Sequence, residues 1–298
     1  MKPESRFDAL RASALQPRAR GMRSVGGFAA LIALAVLLGA CPRSPRTTAR
    51  PDAGVGVASA DAAGALGPSA ANDAAPFDAS VDAPATRPIG PYEVPFDKKR
   101  TAYYVAARST ARPARLLANL HGVCNPPGYA CGYWVEAAAS VGFLVCPSGN
   151  STCGANGPPT WTESFPQMDA DLERAITAVE ARHPGEFGRE GSILTGFSLG
   201  ATAAYQIARA HPGRWPYLVL VEANVPLDKA QLEKAGVRAV ALVAGEIGSQ
   251  VAGERKTSER LAREGYPARL WVMKGAGHHY SADIDAIMAE AIAFVLGH

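Results

Sequence analysis

From residue 91 onward the sequence predicts an α/β fold, with a mostly parallel central sheet covered by helices on both faces. Short apolar strand-like runs alternate with amphipathic helix-like runs to the end of the chain. The strand-like runs are apolar throughout, as strands buried on both faces are. The polar residues of chemical interest fall at the carboxyl ends of those runs, where sites lie in open sheets of this kind.

In chain order, residues 101–107 (TAYYVAA) and 115–120 (RLLANL) read as strands, 133–140 as a short helix and 142–147 (GFLVCP) as a strand. Residues 168–182 place Met168, Leu172, Ala175, Ile176 and Val179 at helical spacing, and His183-Pro184-Gly185 stops that helix. A strand at 192–197 (SILTGF) leads into a helix at 199–210. The pattern continues with a strand at 217–222 (YLVLVE), a short helix at 227–235 and a strand at 238–244 (RAVALVA). A helix at 255–264, a strand at 268–274 (ARLWVMK) and a closing helix at 282–296 complete it. Only one short helix fits between 222 and 238, so no large lid is expected.

Upstream of this domain the chain changes character. Residues 25–40 (VGGFAALIALAVLLGA) carry no charge and follow Arg18, Arg20 and Arg23. A short apolar run behind a basic flank reads as an export signal, and it is short for a spanning helix of about 20 residues. The run ends in Leu38-Gly39-Ala40-Cys41, which resembles a bacterial lipobox. That resemblance implies a lipid on Cys41 and a protein held to a membrane of the bacterial cell envelope. A simply cleaved signal and an uncleaved anchor are the alternatives. Met22 is a more natural start for such a signal than Met1. Residues 42–90 are rich in Ala, Pro, Gly, Ser and Asp and have no apolar period. Such a segment buries too little apolar surface to offset its ordering entropy and is expected to be a disordered tether. The sequence thus divides into a signal region (1–41), a linker (42–90) and a domain (91–298).

Besides Cys41 there are four cysteines, Cys124, Cys131, Cys146 and Cys153. An even number in an exported chain points to disulfides. The simplest pairing closes two local loops, Cys124–Cys131 and Cys146–Cys153. A zinc site lacks the C-x-x-C spacing and a nearby histidine pair, so no metal is expected.

Gly196-Phe197-Ser198-Leu199-Gly200 lies between a predicted strand and a predicted helix. This is the G-x-S-x-G elbow in its strand–turn–helix context. Such a turn lifts the serine hydroxyl above the sheet edge and aims the Leu199 N–H at a developing oxyanion. From about residue 100 to the C terminus the chain resembles the α/β-hydrolase fold. It is most similar to small secreted esterases of the dienelactone-hydrolase and polyhydroxyalkanoate-depolymerase type. The resemblance implies a serine carboxylic-ester hydrolase that forms an acyl-enzyme on Ser198; a peptidase on the same fold shares these motifs.

The resemblance places the base in the loop after the last strand, in Gly275-Ala276-Gly277-His278-His279. His278 matches the family's histidine turn, with His279 as its neighbouring alternative. The Asn119-Leu120-His121-Gly122-Val123 segment matches the family's His-Gly loop and implies an oxyanion donor at Val123 N–H, or at Cys124, beside Leu199. His121 reads as a loop brace. The acid departs from the family pattern, because Gly248 stands where an Asp is usual. Glu246 ranks first as its replacement, Glu222, at the end of YLVLVE, second, and a missing acid close behind; Glu254 or Asp283 swinging in is a further option. Trp161 and Phe165 read either as substrate-lining or as packing under the loop 146–165.

A net charge of +3 with scattered basic residues gives no stripe for nucleic acid. No P-loop or dinucleotide fingerprint follows a strand, so no cofactor is expected. The expected partners are a small or polymeric ester and, through Cys41, a membrane. The competing reading is an inactive hydrolase-fold lipoprotein that binds at a surface, supported chiefly by Gly248.

Overall fold

A computed structural model describes residues 88–109, 113–162 and 164–298. The signal region, Cys41 and the linker as far as residue 87 lie outside the described residues. Among the described residues no helix is long and apolar enough to cross a membrane.

The chain opens with β1 (Tyr92–Pro95), β2 (Thr101–Val105) and β3 (Ala114–Leu120), followed by α1 (Pro127–Gly132), α2 (Val135–Val141) and β4 (Gly142–Pro147). The two-residue strands β5 (Ser151–Thr152) and β6 (Pro159–Thr160) form a separate hairpin. Then come α3 (Phe165–Arg182), β7 (Phe187–Phe197), α4 (Leu199–Ala210), β8 (Tyr217–Val221) and α5 (Lys229–Lys234). The chain closes with β9 (Ala239–Gly245), α6 (Val251–Arg263), β10 (Ala268–Met273) and α7 (Ile284–Leu296).

Eight strands form one sheet in the order β1-β2-β4-β3-β7-β8-β9-β10. The β1/β2 and β2/β4 pairs are antiparallel and all other pairs are parallel. Successive residues feed opposite faces. In β8, Leu218 and Leu220 join a core with α3, α4, α5 and α6, whereas Tyr217, Val219 and Val221 join one with α1, α2 and α7. Both faces are therefore dry, which is why the strands read as unbroken apolar runs.

Several elements depart from the expected ones for local reasons. The edge strand β1 ends in Pro95, and Pro is tolerated at a sheet edge. Helix α1 occupies a stretch rich in Pro and Gly, with Pro127 at its start, where a missing N–H costs nothing. Pro166 likewise sits in the first turn of α3, which begins at Phe165 rather than 168. Strand β7 begins at Phe187, ahead of the apolar run, because Ala114 and Arg115 of β3 pair with Phe187 and Gly188 before the register shifts. Asp228 caps α5 by accepting the Gln231 N–H at 3.0 Å, so that helix starts later than expected.

The disulfides differ from the local pairing. Cys124 joins Cys153 (Cα–Cα 5.6 Å) and Cys131 joins Cys146 (Cα–Cα 6.0 Å). The reason is α1, which carries Cys131 into the core against Cys146 of β4, both fully buried. That leaves Cys124, after β3, to meet Cys153 of the β5/β6 hairpin.

Candidate active site

The site lies at the carboxyl ends of β3, β7, β8, β9 and β10. Ser198 follows β7 and has φ 55° and ψ −118°, a conformation that L residues rarely hold. Packing enforces it. A Cβ on Gly196 would lie 2.2 Å from the Gly200 carbonyl oxygen, and one on Gly200 would lie 1.9 Å from that of Leu120. The two glycines therefore let the turn close and let α4 press against the end of β3. Ser198 N–H donates to Val221 O at 2.8 Å, which ties the turn to β8.

His278 reaches Ser198 from the loop after β10. Its Nε2 stands 3.0 Å from Ser198 Oγ, and its Nδ1 stands 3.0 Å from Glu222 Oε2. His279 turns into its own loop instead, with Nδ1 3.1 Å from Tyr280 O and Nε2 accepting from Gly277 N–H. The structure thus brings His278, rather than its neighbour, to the serine.

The acid on the imidazole is Glu222, not Glu246. The Glu222 side chain is fully buried, and its Oε1 accepts the Gly245 N–H. Glu246 points outward, where Oε2 accepts the Gly275 N–H at 2.8 Å and braces the histidine loop. Gly248 lies beside that carboxylate: a Cβ there would stand 3.4 Å from Glu222 Oε2, an ordinary contact, and 3.2 Å from Gly245 O. The carboxylate at His278 thus enters from the end of β8, and Glu246, in the loop after β9, is turned to the Gly275 N–H instead. With Nδ1–H donating to Glu222, Nε2 is left to accept from Ser198 Oγ–H.

Glu254 and Asp283, the lower-ranked acids, are engaged elsewhere. Glu254 Oε1 accepts the Ala223 N–H at 2.8 Å from within the core, and its Oε2 is buried without a hydrogen-bond partner. Burial, opposed by the Ala223 hydrogen bond and reinforced by the nearby Glu222 charge, pushes its pKa up to about 9. It is therefore neutral at pH 7. Asp283 accepts from Ser281 Oγ at 2.5 Å.

Gly122, Val123 and Cys124 follow β3 on the other side of Ser198. A Cβ on Gly122 would lie 3.1 Å from Ser198 Cβ and 3.0 Å from Phe197 Cδ1, so glycine lets this loop pass close to the serine without shifting its neighbours. Leu199 opens α4, and the first N–H groups of a helix have no intrahelical acceptor. Val123 thus follows a glycine that passes against Ser198, and Leu199 directly follows Ser198 at the start of α4. His121 anchors the loop from beneath. Its Nδ1 lies 2.8 Å from Gly122 O, and its Nε2 accepts the Gly149 N–H at 2.9 Å. The ring stacks on Trp161 at 4.8 Å, and Trp161 Nε1–H donates to His121 O at 3.0 Å. Burial holds the His121 pKa at about 4, partly opposed by the Gly122 hydrogen bond. The imidazole is neutral, as its donor and acceptor partners require. Trp161 is thus a buried brace, and Phe165 packs on the core.

Residues that sequence reasoning missed lie beside His278. Phe197 packs on it at 5.1 Å and on Tyr280 at 5.0 Å, and Tyr280 continues to Tyr129 and Tyr133 at 5.6 and 5.5 Å. Tyr129 and Tyr133 sit four apart on one helical turn, a spacing that reading α1 as a helix would have revealed.

No protein-family model matches the chain, and no curated protein matches it significantly. Solved structures do. A substrate-bound fluorophosphonate-binding serine hydrolase F of Staphylococcus aureus aligns with TM-score 0.51 and 12% identity over 70% of this chain and 99% of that one. An S-formylglutathione hydrolase from Agrobacterium tumefaciens aligns with TM-score 0.49 and 16% identity, over 69% and 93%. The Bacillus cereus carboxylesterase aligns with TM-score 0.47 and 15% identity, over 66% and 96%. At 12% identity the likeness to the first of these is one of fold alone, and the fold of this chain, a mostly parallel sheet with helices on both faces, is that of the α/β-hydrolases.

Proposed function

We propose that this protein is a serine carboxylic-ester hydrolase in which Ser198 is the nucleophile, His278 the general base and Glu222 the acid. The observation that carries the reading is the hydrogen-bonded line Ser198 Oγ–His278 Nε2 and His278 Nδ1–Glu222 Oε2, each link 3.0 Å, starting from a strained turn at a helix N terminus.

The geometry supports two half-reactions. Ser198 Oγ attacks the ester carbonyl carbon while its proton passes to His278 Nε2, and Glu222 steadies the imidazolium through Nδ1–H. The carbonyl oxygen gains negative charge between the N–H groups of Val123 and Leu199, where the α4 dipole also favours it. The C–O bond to the alcohol breaks, and the alcohol oxygen takes the proton from Nε2. A water then gives its proton to His278, attacks the acyl carbon and releases the acid, and Ser198 recovers its proton. The inactive-lipoprotein reading rested on Gly248, and Glu222 supplies what that position lacks.

Fluorophosphonate labelling of the oxidised protein tests this. Labelling should vanish in Ser198→Ala, fall sharply in Glu222→Gln and persist in Glu246→Gln. Absence of labelling in a folded, oxidised sample would sink the hydrolase reading.

The location belongs to the same proposal. The run at 25–40 and the lipobox-like Leu38-Gly39-Ala40-Cys41 support a lipid on Cys41 that tethers the enzyme to the bacterial envelope. Incorporation of a clickable fatty acid that disappears in Cys41→Ser would support it, and incorporation that persists would refute it.

A further inference from the structure

Only four large hydrophobic residues among the described ones stand out as exposed, namely Val123 (56%), Tyr133 (44%), Ile247 (74%) and Tyr92 (36%). Val123 and Ile247 lie beside the Ser198–His278 pair, and Tyr133 ends a series of ring contacts that begins at His278. Val123 follows Gly122, which passes against Ser198. Ile247 Cγ1 lies 4.0 Å from the Cβ position of Gly277, the residue before His278. Tyr133 ends the ring series that runs from His278 through Phe197 and Tyr280, and it also packs on Tyr129 at 4.2 Å. Exposed apolar side chains scattered singly need no explanation, but a group of them around a nucleophile marks a binding surface.

We infer that Ile247 and the Tyr133 end of this ring series bind the alcohol portion of the substrate, so that the preferred esters carry an apolar, aromatic-sized leaving group. The inference rests on the ester-hydrolase reading above. The side is set by the chemistry. His278 Nε2 must hand its proton to the departing alcohol oxygen, so whatever that oxygen carries lies along the His278 flank. Phe197 packs on His278 at 5.1 Å, and Ile247 reaches its loop across Gly277. Between β8 and β9 the only helix is the six-residue α5, so that connection supplies no large lid. A leaving group would therefore be gripped by its edge and face instead of being enclosed. This suits a flat ring, which gains area against Tyr133 at little entropic cost. A small polar alcohol would leave the rim wet and gain nothing from it.

The test compares benzyl acetate with 2-methoxyethyl acetate, whose alcohols are similarly poor leaving groups but differ in apolar surface. Wild-type full-length protein, oxidised and in detergent, should favour the benzyl ester in kcat/KM by about tenfold or more. Ile247→Asn and Tyr133→Ser change exposed side chains, and each should lower that ratio by about threefold, with the double variant nearing parity. A wild-type ratio near one, or a ratio that neither variant moves, overturns the inference. Ser198-dependent cleavage of both esters at equal rates, or of neither by a protein that fluorophosphonate still labels, removes this inference alone, whereas cleavage of neither without labelling removes the hydrolase reading and this one with it. Equal rates together with dimerisation that Ile247→Asn abolishes would assign the patch to a second copy of the chain and overturn it as well.

Discussion

Glu222 holds φ at 57°, a region that a glutamate enters only when its surroundings dictate it. Three hydrogen bonds do so. Its own N–H donates to Val243 O at 2.8 Å, Ala223 N–H donates to Glu254 Oε1 at 2.8 Å, and Gly245 N–H donates to its carboxylate. The kink turns the side chain from the end of β8 under His278. Glu222→Gln keeps the shape but loses the charge that stabilises an imidazolium, and its amide can present N–H to the ring and favour the wrong tautomer. We expect kcat to fall by about a thousandfold or more, whereas Glu246→Gln should stay within about threefold, both read from steady-state ester hydrolysis. Equal losses in the two variants would contradict the geometry. The same residues show what sequence could and could not reveal at this scale. Ser198 was legible because its tight turn demands small neighbours, which Gly196 and Gly200 advertise, and His278 because it follows the last strand in a glycine-containing turn. The acid was not, because nothing local to Glu222 or Glu246 records which side chain the loop after β9 leaves room for. Gly248 is next to the Glu222 carboxylate in space, but that neighbour is distant in sequence.

At the scale of elements, the loops that carry the proposed oxyanion donors are cross-braced rather than free. The Cys124–Cys153 bridge ties the Val123 loop to the β5/β6 hairpin, while Cys131–Cys146 lies inside the core between α1 and β4. The two bridges therefore do different work. Removing the first as Cys124→Ser/Cys153→Ser should cost kcat about tenfold or more through misplaced donors, and Tm should fall as well. Removing the second as Cys131→Ala/Cys146→Ala should lower stability by about 2–4 kcal/mol, read from chemical denaturation, with a smaller effect on kcat than the first. If kcat responds more to the core pair, the Val123 loop does not depend on its staple. The sequence favours local pairings because Gly, Pro and Asn make the stretches they close look like short loops, and α1 lies in one of them. A six-residue helix built from Pro127-Gly128-Tyr129-Ala130-Cys131-Gly132 has little helical propensity of its own and is held by packing on β4 and β2. The long elements α3, α4 and α7 were legible because each buries one apolar stripe over several turns.

For the whole molecule, the parallel sheet followed from strands that are apolar on both faces. What no pattern reveals is that such a core also holds ionisable groups in states water would not allow. Glu254 and His121 are two of them, and they bound the pH range of the fold from opposite sides. Glu254 has a native pKa of about 9 against an ordinary 4.5, so between those values the folded state keeps a proton that the unfolded chain has released. Its contribution is complete below about pH 4.5, shrinks as pH rises through this window and is lost above about 9. His121 runs the other way. With a native pKa of about 4 against 6.5, the unfolded chain binds a proton the native ring refuses, so stability falls as pH drops from about 6.5 to 4. Thermal melts from pH 4 to 9 check both slopes. Glu254→Gln keeps an acceptor for the Ala223 N–H but has no proton to lose, so its Tm should gain on the wild type steadily from pH 5 to 9. His121→Gln retains an acceptor for the Gly149 N–H; it should be less stable at pH 7, yet lose less than the wild type on acidification to pH 4. A Glu254→Gln difference that stays flat across the alkaline range would mean that the carboxyl is already ionised in the fold. Two buried carboxylates, Glu254 and Glu222, would then have to coexist beside the same turn.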